Sequence, residues 1–388
     1  MSRITAGIDI GTYQIKVVVA ERSKKGGGNR APTILGTGFA QSRGLRHGYI
    51  INTRDIARSI ASAIEEAERA AGVKIKKVHL AVGGVGLDEI RSYGETLISR
   101  ADNEATDLDL GKAVDASEEQ IRRHLTNRKI IHVIPLKYKI DGETILGRPI
   151  GMKGSKLSVE TLFVTSLEQH LQDLISVIED IGISVIDVMA SPIAASFVTL
   201  TKAQKTAGCV LANVGSETVS LAVFEDNIPI SLKVFPIGGT DITNDIALGL
   251  QVSLEEAEQI KRGAITNSTY SQKELDRIIV ARLSDIFELI ESHLKKIGKN
   301  GLLPAGIILA GGGSGVTTIE DLAKAALKIP SRRISLSINS GAGIKDSSWA
   351  VAYGLCVWGL SEDPEPIGLT FARETSGTIA MWLKQFLP

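Results

Sequence analysis

The sequence predicts an α/β protein made of two similar halves. Strand-like and helix-like segments alternate along the 388 residues, as in folds where helices cover sheets. A β-branched strand, a glycine turn and a second β-branched strand occur together twice, at residues 7–20 and 210–224. Such a repeat indicates duplicated halves, and the chain is longer than one hydrophobic core usually allows. Two or more domains are therefore expected.

The first half begins with three strands and a helix. Runs of apolar and β-branched residues predict the strands, which cover 4–10, 15–20 and 34–41. The basic, glycine-rich segment 23–30 is predicted to be a solvated loop. Apolar residues at helical spacing predict an amphipathic helix at 53–72, and Gly72 ends it.

The next region contains strands and a helix but none of the glycine motifs. Its predicted elements are strands at 78–82 and 89–98, a helix near 110–126, and strands at 130–140 and 157–165. A helix at 167–182 and a strand at 184–190 then return the chain to the first half, and 192–200 crosses over to the second.

The second half begins with the repeated hairpin and continues mainly as helices. The predicted helices cover 241–250, 253–262, 271–298 and 317–327. The helix at 271–298 is long and carries an apolar stripe along its length. A last apolar helix at 349–359 is expected to pack back on the first half.

Four glycine turns indicate a nucleotide site between the halves. Gly11 and Gly215 lie in the two hairpins, where glycine lets backbone N–H groups converge on an anion. Gly239 opens a helix, whose first N–H groups are expected to be spare for an anion. The run 311–313 follows a buried strand and lets a purine or phosphate approach the backbone. One such turn is usually structural, but four in this order favour a bound nucleotide.

Side-chain chemistry suggests individual roles at this site. Asp9 ends the first strand and is the candidate ligand of hydrated Mg²⁺, which prefers oxygen ligands. Lys16 either neutralises phosphate charge or pairs across its own hairpin, and the sequence leaves both readings open. The remaining candidates for contacts to phosphates, ribose and adenine are Gly11, Thr12, Tyr13, Asn213, Gly215, Ser216, Glu217, Thr218, Gly239, Gly311, Gly312 and Gly313.

The order of these motifs resembles that of the actin, sugar-kinase and heat-shock-chaperone ATPase superfamily. Within it the chain resembles the FtsA family of bacterial actin-like proteins. The segments that carry this resemblance are Ser42-Arg-Gly-Leu-Arg-His-Gly48 with the helix after it, Arg128-Lys-Ile-Ile-His132-Val-Ile-Pro135-Leu-Lys-Tyr138, the stretches 238–247 and 255–261, and an amphipathic helix predicted at the C-terminal residues 376–388. The resemblance implies ATP and Mg²⁺ as ligands and adds Lys261 as a contact to the nucleoside.

The resemblance also implies an actin-like two-domain ATPase fold with a small inserted α/β subdomain. The first domain would comprise 1–77, 165–205 and 341–362, the inserted subdomain 78–164, and the second domain 206–340 with its upper part at about 240–300. A linker at 363–375 and an amphipathic helix at 376–388 would follow.

The second hairpin departs from the family pattern. Residue 213 is Asn where the family usually carries Asp, and Ser216 and Glu217 replace small glycines. One carboxylate fewer weakens the field that holds Mg²⁺ and orients an attacking water. Glu217 either compensates in part or repels the γ-phosphate. We therefore expect a structural nucleotide with slow or absent hydrolysis, no catalytic residue, and a scaffold rather than an enzyme.

The C-terminal helix carries an apolar stripe on an otherwise soluble type of chain. At about 100° per residue the stripe spans an arc of roughly 140°. Its members are Ile379, Trp382, Leu383, Phe386 and Leu387. The stripe binds either a membrane surface or protein, and the resemblance favours the membrane. With no signal peptide or spanning segment evident, we expect peripheral attachment on the cytoplasmic side, strengthened by polymerisation because each subunit adds a helix.

Partners follow from the resemblance and from charge. The family binds the C-terminal tail of the tubulin-like protein FtsZ on the upper second domain, polymerises into filaments at the division site, and contacts further division proteins through the inserted subdomain. The basic candidates for the FtsZ tail are Arg277, Arg282, Lys295 and Lys296. Equal numbers of acidic and basic residues, 44 each, indicate no nucleic-acid partner. Rival readings are the actin-like protein of type IV pilus assembly and a small-molecule kinase of the same fold, for which no catalytic Asp motif is legible.

Overall fold

The computed structural model describes residues 3–22, 31–264, 270–336 and 346–361. The predicted loop at 23–30, the linker at 363–375 and the amphipathic helix at 376–388 lie outside these residues. Within the described part of the chain, no helix combines the length and apolarity that crossing a bilayer requires.

The chain first forms a three-stranded meander, a small hairpin, a helix and a fourth long strand. These are β1 (Arg3–Ile10), β2 (Gln14–Arg22), β3 (Thr33–Gln41), β4 (Leu45–Arg46), β5 (Tyr49–Ile50), α1 (Thr53–Ala71) and β6 (Lys77–Val82). The side chain of Asn52 accepts hydrogen bonds from Arg54 N and Asp55 N and so caps α1, while Gly72 ends it at φ 67°. The predicted helix and strands are confirmed here.

The inserted subdomain is a four-stranded antiparallel sheet covered by one helix. Its elements are β7 (Asp88–Leu97), α2 (Asp107–Ile121), β8 (Arg128–Ile140), β9 (Glu143–Ile145) and β10 (Lys156–Leu167), and the strand order is β7-β10-β8-β9. Gly94 lets α2 approach closely, because a Cβ there would lie 2.0 Å from Ala113 O. A capping box of Thr106 and Asp109 begins α2.

The predicted start of this subdomain at residue 78 is wrong. Strand β6 pairs in parallel with β1 and therefore belongs to the first domain. Five consecutive buried residues, 78–82, suit a central parallel strand covered on both faces. The insertion accordingly begins with β7.

The first domain is completed by α3 (Glu168–Asp180), β11 (Ser184–Ala190) and α4 (Ser191–Thr199). Its sheet has the order β3-β2-β1-β6-β11, antiparallel in the meander and parallel from β1 to β11. Both cysteines of the chain, Cys209 and Cys356, are free and buried.

The second domain repeats this topology. Its elements are α5 (Lys202–Ala207), β12 (Cys209–Val214), β13 (Val219–Glu225), β14 (Ile228–Phe235), α6 (Gly239–Leu250), α7 (Leu254–Lys261), α8 (Gln272–Lys296), β15 (Ile307–Ala310), α9 (Ile319–Leu327) and β16 (Ser331–Arg333), and α10 (Ala350–Gly359) returns to the first domain. The order β14-β13-β12-β15-β16 matches the first sheet strand for strand. The predicted duplication is confirmed, and the two glycine hairpins occupy equivalent positions at the carboxyl ends of β1 and β12.

Candidate nucleotide-binding site

The two glycine hairpins have the same backbone geometry. The last strand pairs before the turns are Ile10 with Ile15 and Val214 with Val219, so each turn contains four residues. A Cβ on Gly11 would lie 2.8 Å from Gln14 O, and one on Gly215 would lie 2.9 Å from Thr218 O. Each turn therefore needs glycine at its first position.

A cavity of about 960 Å³ lies between the two domains and collects the predicted site residues. It is bounded by both hairpins, the start of α6, the end of α7 and the glycine run after β15. The predicted residues that line it are Asp9, Gly11, Thr12, Tyr13, Lys16, Asn213, Gly215, Ser216, Thr218, Gly239, Lys261, Gly311, Gly312 and Gly313. Elements that are far apart in sequence thus converge on one cleft, with one hairpin from each half.

Asp9 and Lys16 face each other across the first hairpin. They are directly opposed in the β1–β2 ladder, and Lys16 is only 8% exposed. Burial raises the pKa of Asp9 to about 6, although the positive charge of Lys16 opposes the shift. Burial likewise lowers the pKa of Lys16, against the attraction of Asp9 and Asp346. The two readings of Lys16 are compatible, since it interacts with Asp9 and also lines the cavity.

Asn213 packs against the glycine run. Gly311 has φ 85°, and a Cβ there would lie 2.3 Å from Asn213 Oδ1 and 2.5 Å from Val214 O. Gly311 is therefore required by the fold itself. Nothing lies within 4 Å of the corresponding Cβ position at Gly312. The equivalent of Lys16 in the second hairpin is Ser220, which lies opposite Asn213.

The start of α6 does not offer the spare N–H groups that the sequence suggested. Gly239 N–H donates to Gly215 O at 2.9 Å, and Thr240 N–H donates to Ser216 O at 2.7 Å. The Ser216 and Thr240 hydroxyls lie 2.7 Å apart. The second hairpin therefore satisfies the helix start, which sequence could not reveal because these partners are 24 residues apart.

Lys261 is engaged by three acceptors of its own domain. Its Nζ lies 2.9 Å from Gly239 O, 2.7 Å from Thr243 Oγ1 and 2.6 Å from Glu258 Oε2. An ammonium group has three N–H donors, so this set uses all of them. The contacts tie the end of α7 to the start of α6, and Lys261 also borders the cavity.

Glu217 is placed differently from the other predicted residues. It does not line the cavity. Its carboxylate Oε2 accepts a hydrogen bond of 2.5 Å from the backbone N–H of His47, in the turn between β4 and β5 of the first domain. The sequence suggested that Glu217 either compensates beside Mg²⁺ or repels the γ-phosphate, and both roles require its side chain to face the cavity. The contact with His47 instead directs the Glu217 side chain to the first domain.

Other residues at the cavity were not singled out from the sequence. Asp346 lines the cavity and caps the short helical turn after it, accepting from Ser348 N–H at 2.9 Å. Gly83 and Gly84 follow β6, and His170 from α3 contacts Gly83 O at 3.3 Å. The Gly-Gly pair after a buried strand was a usable signal. The sequence carries no comparable signal for Asp346, because only tertiary packing brings this residue close to Lys16.

The four basic candidates on α8 differ in their surroundings. Arg282 pairs with Asp245 through Nε at 2.6 Å and Nη2 at 3.0 Å, and its side chain is 29% exposed. Arg277 is 80% exposed and lies 3.9 Å from Glu274. Lys295 pairs with Glu291 at 2.9 Å, and Lys296 is exposed. Arg282 therefore braces α6 against α8.

Family models and curated relatives agree on one family. A model described as "Cell division protein FtsA" matches residues 210–354, and one described as "SHS2 domain inserted in FTSA" matches 88–165. The FtsA of Borreliella burgdorferi is 30% identical over 383 residues, covering 92% of this chain and 91% of that protein. The FtsA of Bacillus subtilis is 28% identical over 375 residues, covering 91% and 83%.

Solved structures share the fold at low sequence identity. The PilM-PilN type IV pilus biogenesis complex aligns with a TM-score of 0.69 at 16% identity, covering 93% of this chain and 99% of that chain. MreB5 of Spiroplasma citri bound to ADP aligns with a TM-score of 0.50 at 13% identity, covering 91% and 94%. These similarities show an actin-like fold.

Proposed function

Because the chain belongs to the FtsA family of cell-division proteins, we propose that it is an ATP-binding scaffold that polymerises on the cytoplasmic face of the membrane and tethers FtsZ at the division site. One observation carries the nucleotide part of this proposal: topologically equivalent glycine hairpins, one from each domain, border the same interdomain cavity. A cavity of about 960 Å³ is large enough to hold ATP.

The residues where the first glycine hairpin borders the cavity fit Mg²⁺. Asp9 supplies a carboxylate there, and burial raises its pKa to about 6, which a nearby divalent cation would reverse. Among the described residues, no three His, Cys, Asp or Glu side chains cluster as a metal site. Mg²⁺ usually accepts one or two carboxylates together with phosphates and water. Asp9 and the nucleotide phosphates would therefore hold it, and the ion would neutralise phosphate charge.

Slow or absent hydrolysis is expected from the second hairpin. Asn213 offers a neutral amide at the position equivalent to Asp9, and Glu217 is engaged with His47. Single-turnover cleavage of ATP by the purified protein tests this, with Asn213→Asp as the informative variant. We expect negligible cleavage by the natural chain. Turnover on the scale of sugar kinases would contradict the scaffold proposal.

Membrane attachment is proposed through the helix that the sequence predicts at 376–388. Its apolar stripe has only Lys384 as a charged neighbour within 376–388, so binding would depend on apolar insertion. A single short helix binds weakly, and polymerisation would multiply the attachment points. Co-sedimentation with liposomes should separate the full chain from one ending at Thr375, each with and without ATP.

A matched pair of variants sharpens that assay. Trp382→Glu adds a negative charge within the stripe, while Gln385→Glu adds the same charge on the polar face. We expect Trp382→Glu to release the protein from vesicles and Gln385→Glu to leave most of it bound. Equal sedimentation of the Trp382→Glu variant and the natural chain would show that the stripe faces protein.

For the FtsZ tail, exposure favours some candidates over others. Arg277 is well exposed, whereas Arg282 is occupied by Asp245. We therefore propose Arg277, Lys295 and Lys296 as contacts to an acidic peptide. Arg277→Glu and Lys296→Glu should weaken binding of an FtsZ tail peptide without lowering the unfolding midpoint. Lys324→Glu on α9 serves as a charge control elsewhere in the domain. Unchanged binding in both α8 variants would place the peptide elsewhere.

The inserted subdomain is the proposed contact for further division proteins. It exposes apolar side chains, including Leu146 at 97% exposure and Leu108 at 56%. The segments that carry these two residues are joined by hydrogen bonds, because Ala105 N–H, just before α2, donates to Met152 O in the loop after β9. Exposed apolar residues that lie together suit protein contacts. Leu146→Asp should weaken self-association or partner binding without unfolding the subdomain.

The pilus reading is the less favoured alternative. The PilM structure supports it through fold alone at 16% identity, whereas an FtsA relative reaches 30% over nearly the whole chain. Binding to an FtsZ tail peptide distinguishes the two readings directly.

A further inference from the structure

The segment 42–48 forms part of a bridge across the interdomain cleft. The short hairpin of β4 and β5 places His47 at φ 49°, followed by Gly48 at φ 93°. This left-handed turn presents the backbone N–H of His47 to Glu217 Oε2 at 2.5 Å. The His47 ring adds a second contact, with Nδ1 3.3 Å from Glu217 O. We call this pair of contacts between His47 and Glu217 the cleft clasp.

On the first domain, several contacts hold the His47 side of the clasp in place. Val85 N–H donates to His47 O at 3.2 Å, which joins the hairpin to the glycine turn after β6. A Cβ on Gly48 would lie 2.6 Å from Gly84 Cα, so the two turns are in close contact. Tyr49 packs edge-on against the His170 ring, with centroids 5.0 Å apart. The His47 N–H is therefore held in position by several contacts of its own domain.

On the other side, the clasp holds the turn proposed to bind phosphates. Glu217 is the third residue of the second glycine hairpin. Its neighbour Ser216 accepts from Thr240 N–H through its backbone oxygen, which joins the hairpin to α6. The contact between Glu217 and His47 therefore also fixes the position of the second glycine hairpin and of α6, which is bonded to it.

We propose that the cleft clasp holds the two domains closed around the nucleotide and slows its release. The proposal rests on the nucleotide site proposed above. Each domain contributes one phosphate hairpin, so a nucleotide enters or leaves only when the hairpins separate. A hydrogen bond to a carboxylate that exists only in the closed arrangement stabilises that arrangement relative to the open one.

The clasp predicts an effect opposite in sign to that of a carboxylate facing the phosphates. A carboxylate that repels the γ-phosphate weakens nucleotide binding, so removing it would slow release. A carboxylate that closes the cleft retains nucleotide, so removing it accelerates release. The sign of the change therefore separates the two roles of Glu217.

The test measures release of a fluorescent ATP analogue from the full-length protein during a chase with excess ATP. Glu217→Ala should accelerate release by about tenfold, as expected when a hydrogen bond to a carboxylate is lost. Glu217→Gln keeps a side-chain oxygen that accepts from His47 N–H. Its release rate should therefore lie between those of the natural chain and Glu217→Ala. Glu288→Ala removes an exposed carboxylate of the same domain from α8 and should leave the rate unchanged.

Hydrogen exchange provides a readout that does not depend on nucleotide. The amide of His47 should exchange slowly in the natural chain and quickly in Glu217→Ala, while amides of α9 should not change. Slower or unchanged release in Glu217→Ala would overturn the proposal, whatever the exchange at His47. Unchanged exchange at His47 would show in addition that the contact to Glu217 does not protect this amide. Failure of the natural chain to bind ATP would instead refute the proposed nucleotide site, and exchange at His47 would still test the contact.

Discussion

The carboxylate of Glu89 in the inserted subdomain accepts a hydrogen bond of 2.8 Å from Ser231 Oγ in the edge strand of the second domain. It also accepts from Leu232 N–H at 2.5 Å. Ser231 Oγ lies 2.9 Å from His293 Nε2 on α8, so one buried serine joins the inserted subdomain, β14 and the long helix. Arg91 Nη2 donates to Ile230 O at 2.6 Å. Side chains of β7 thus satisfy backbone groups at the edge of the second sheet.

Glu89→Ala should destabilise this junction. The change leaves Leu232 N–H without its acceptor in a mostly buried place and leaves Ser231 Oγ with only its contact to His293 Nε2, which costs on the order of 1–3 kcal/mol in the free energy of unfolding. Urea denaturation measures the loss. Glu95→Ala, on the same strand, breaks an exposed pair with Lys156 and should cost less than about 1 kcal/mol. Equal effects of the two changes would contradict a structural role for the junction.

Gly311→Ala should be far more damaging than Gly312→Ala. At Gly311 the left-handed backbone and the approach of Asn213 Oδ1 leave no room for a methyl group, and strain of this kind costs on the order of 1–3 kcal/mol. At Gly312 a Cβ meets nothing within 4 Å, so the fold should tolerate alanine. Thermal unfolding without nucleotide compares the two. A stable Gly311→Ala protein that has lost only ATP binding would show that the glycine serves the ligand rather than the fold.

Lys261→Met should lower stability even in the absence of nucleotide. The ammonium group donates to Gly239 O, Thr243 Oγ1 and Glu258 Oε2. Without it the Thr243 hydroxyl, 3.2 Å from Gly239 O and 2.6 Å from Glu258 Oε2, is the donor that remains for the other two groups, and the Glu258 carboxylate loses its cation. The expected cost is on the order of 1–3 kcal/mol in the free energy of unfolding. Lys273→Met changes an exposed lysine of α8 and serves as the control. If only ATP affinity falls while the urea midpoint stays unchanged, Lys261 acts through the nucleotide alone.

Stability should fall between neutral pH and pH 5 through buried histidines. Burial lowers the pKa of His79 to about 4, with a further contribution from the charge of Arg3, and lowers the pKa of His132 to about 3. Below about pH 6.5 the unfolded chain binds protons that these neutral side chains in the folded protein do not. Each histidine therefore lowers the free energy of unfolding by up to about 1.4 kcal/mol per pH unit as the pH falls from 6.5 towards the pKa of that histidine in the folded protein.

A difference between variants isolates the histidine effect from other titrating groups. Asp9 acts in the opposite direction, since burial raises its pKa to about 6 and the folded protein takes up this proton first. His79→Gln should have a flatter profile of unfolding free energy against pH than the natural chain, and His124→Gln, at an exposed site, should not. Identical slopes for His79→Gln and the natural chain would rule out this contribution from His79.

Residues whose roles are local were predictable from the sequence. A strand, a four-residue turn and a second strand need β-branched residues around glycine, and that pattern marked both hairpins before any contact was known. Gly72 was recognised as the end of α1 for the same reason, since a helix cap acts over three or four residues. Strand β6 was recognised as a strand but assigned to the wrong domain, because its buried residues do not reveal which sheet they join.

By itself the sequence determined the α/β class, the duplicated hairpins, the candidate nucleotide residues and the family resemblance, because spacing and backbone requirements are written locally. Only the tertiary structure decided where the side chains find partners. It directed Glu217 to His47 rather than to the cavity, closed the start of α6 with the second hairpin, and placed Glu89 against Ser231. Hydrogen bonds and buried charges depend on positions in space, and residues more than a hundred positions apart carry no local signal of their pairing.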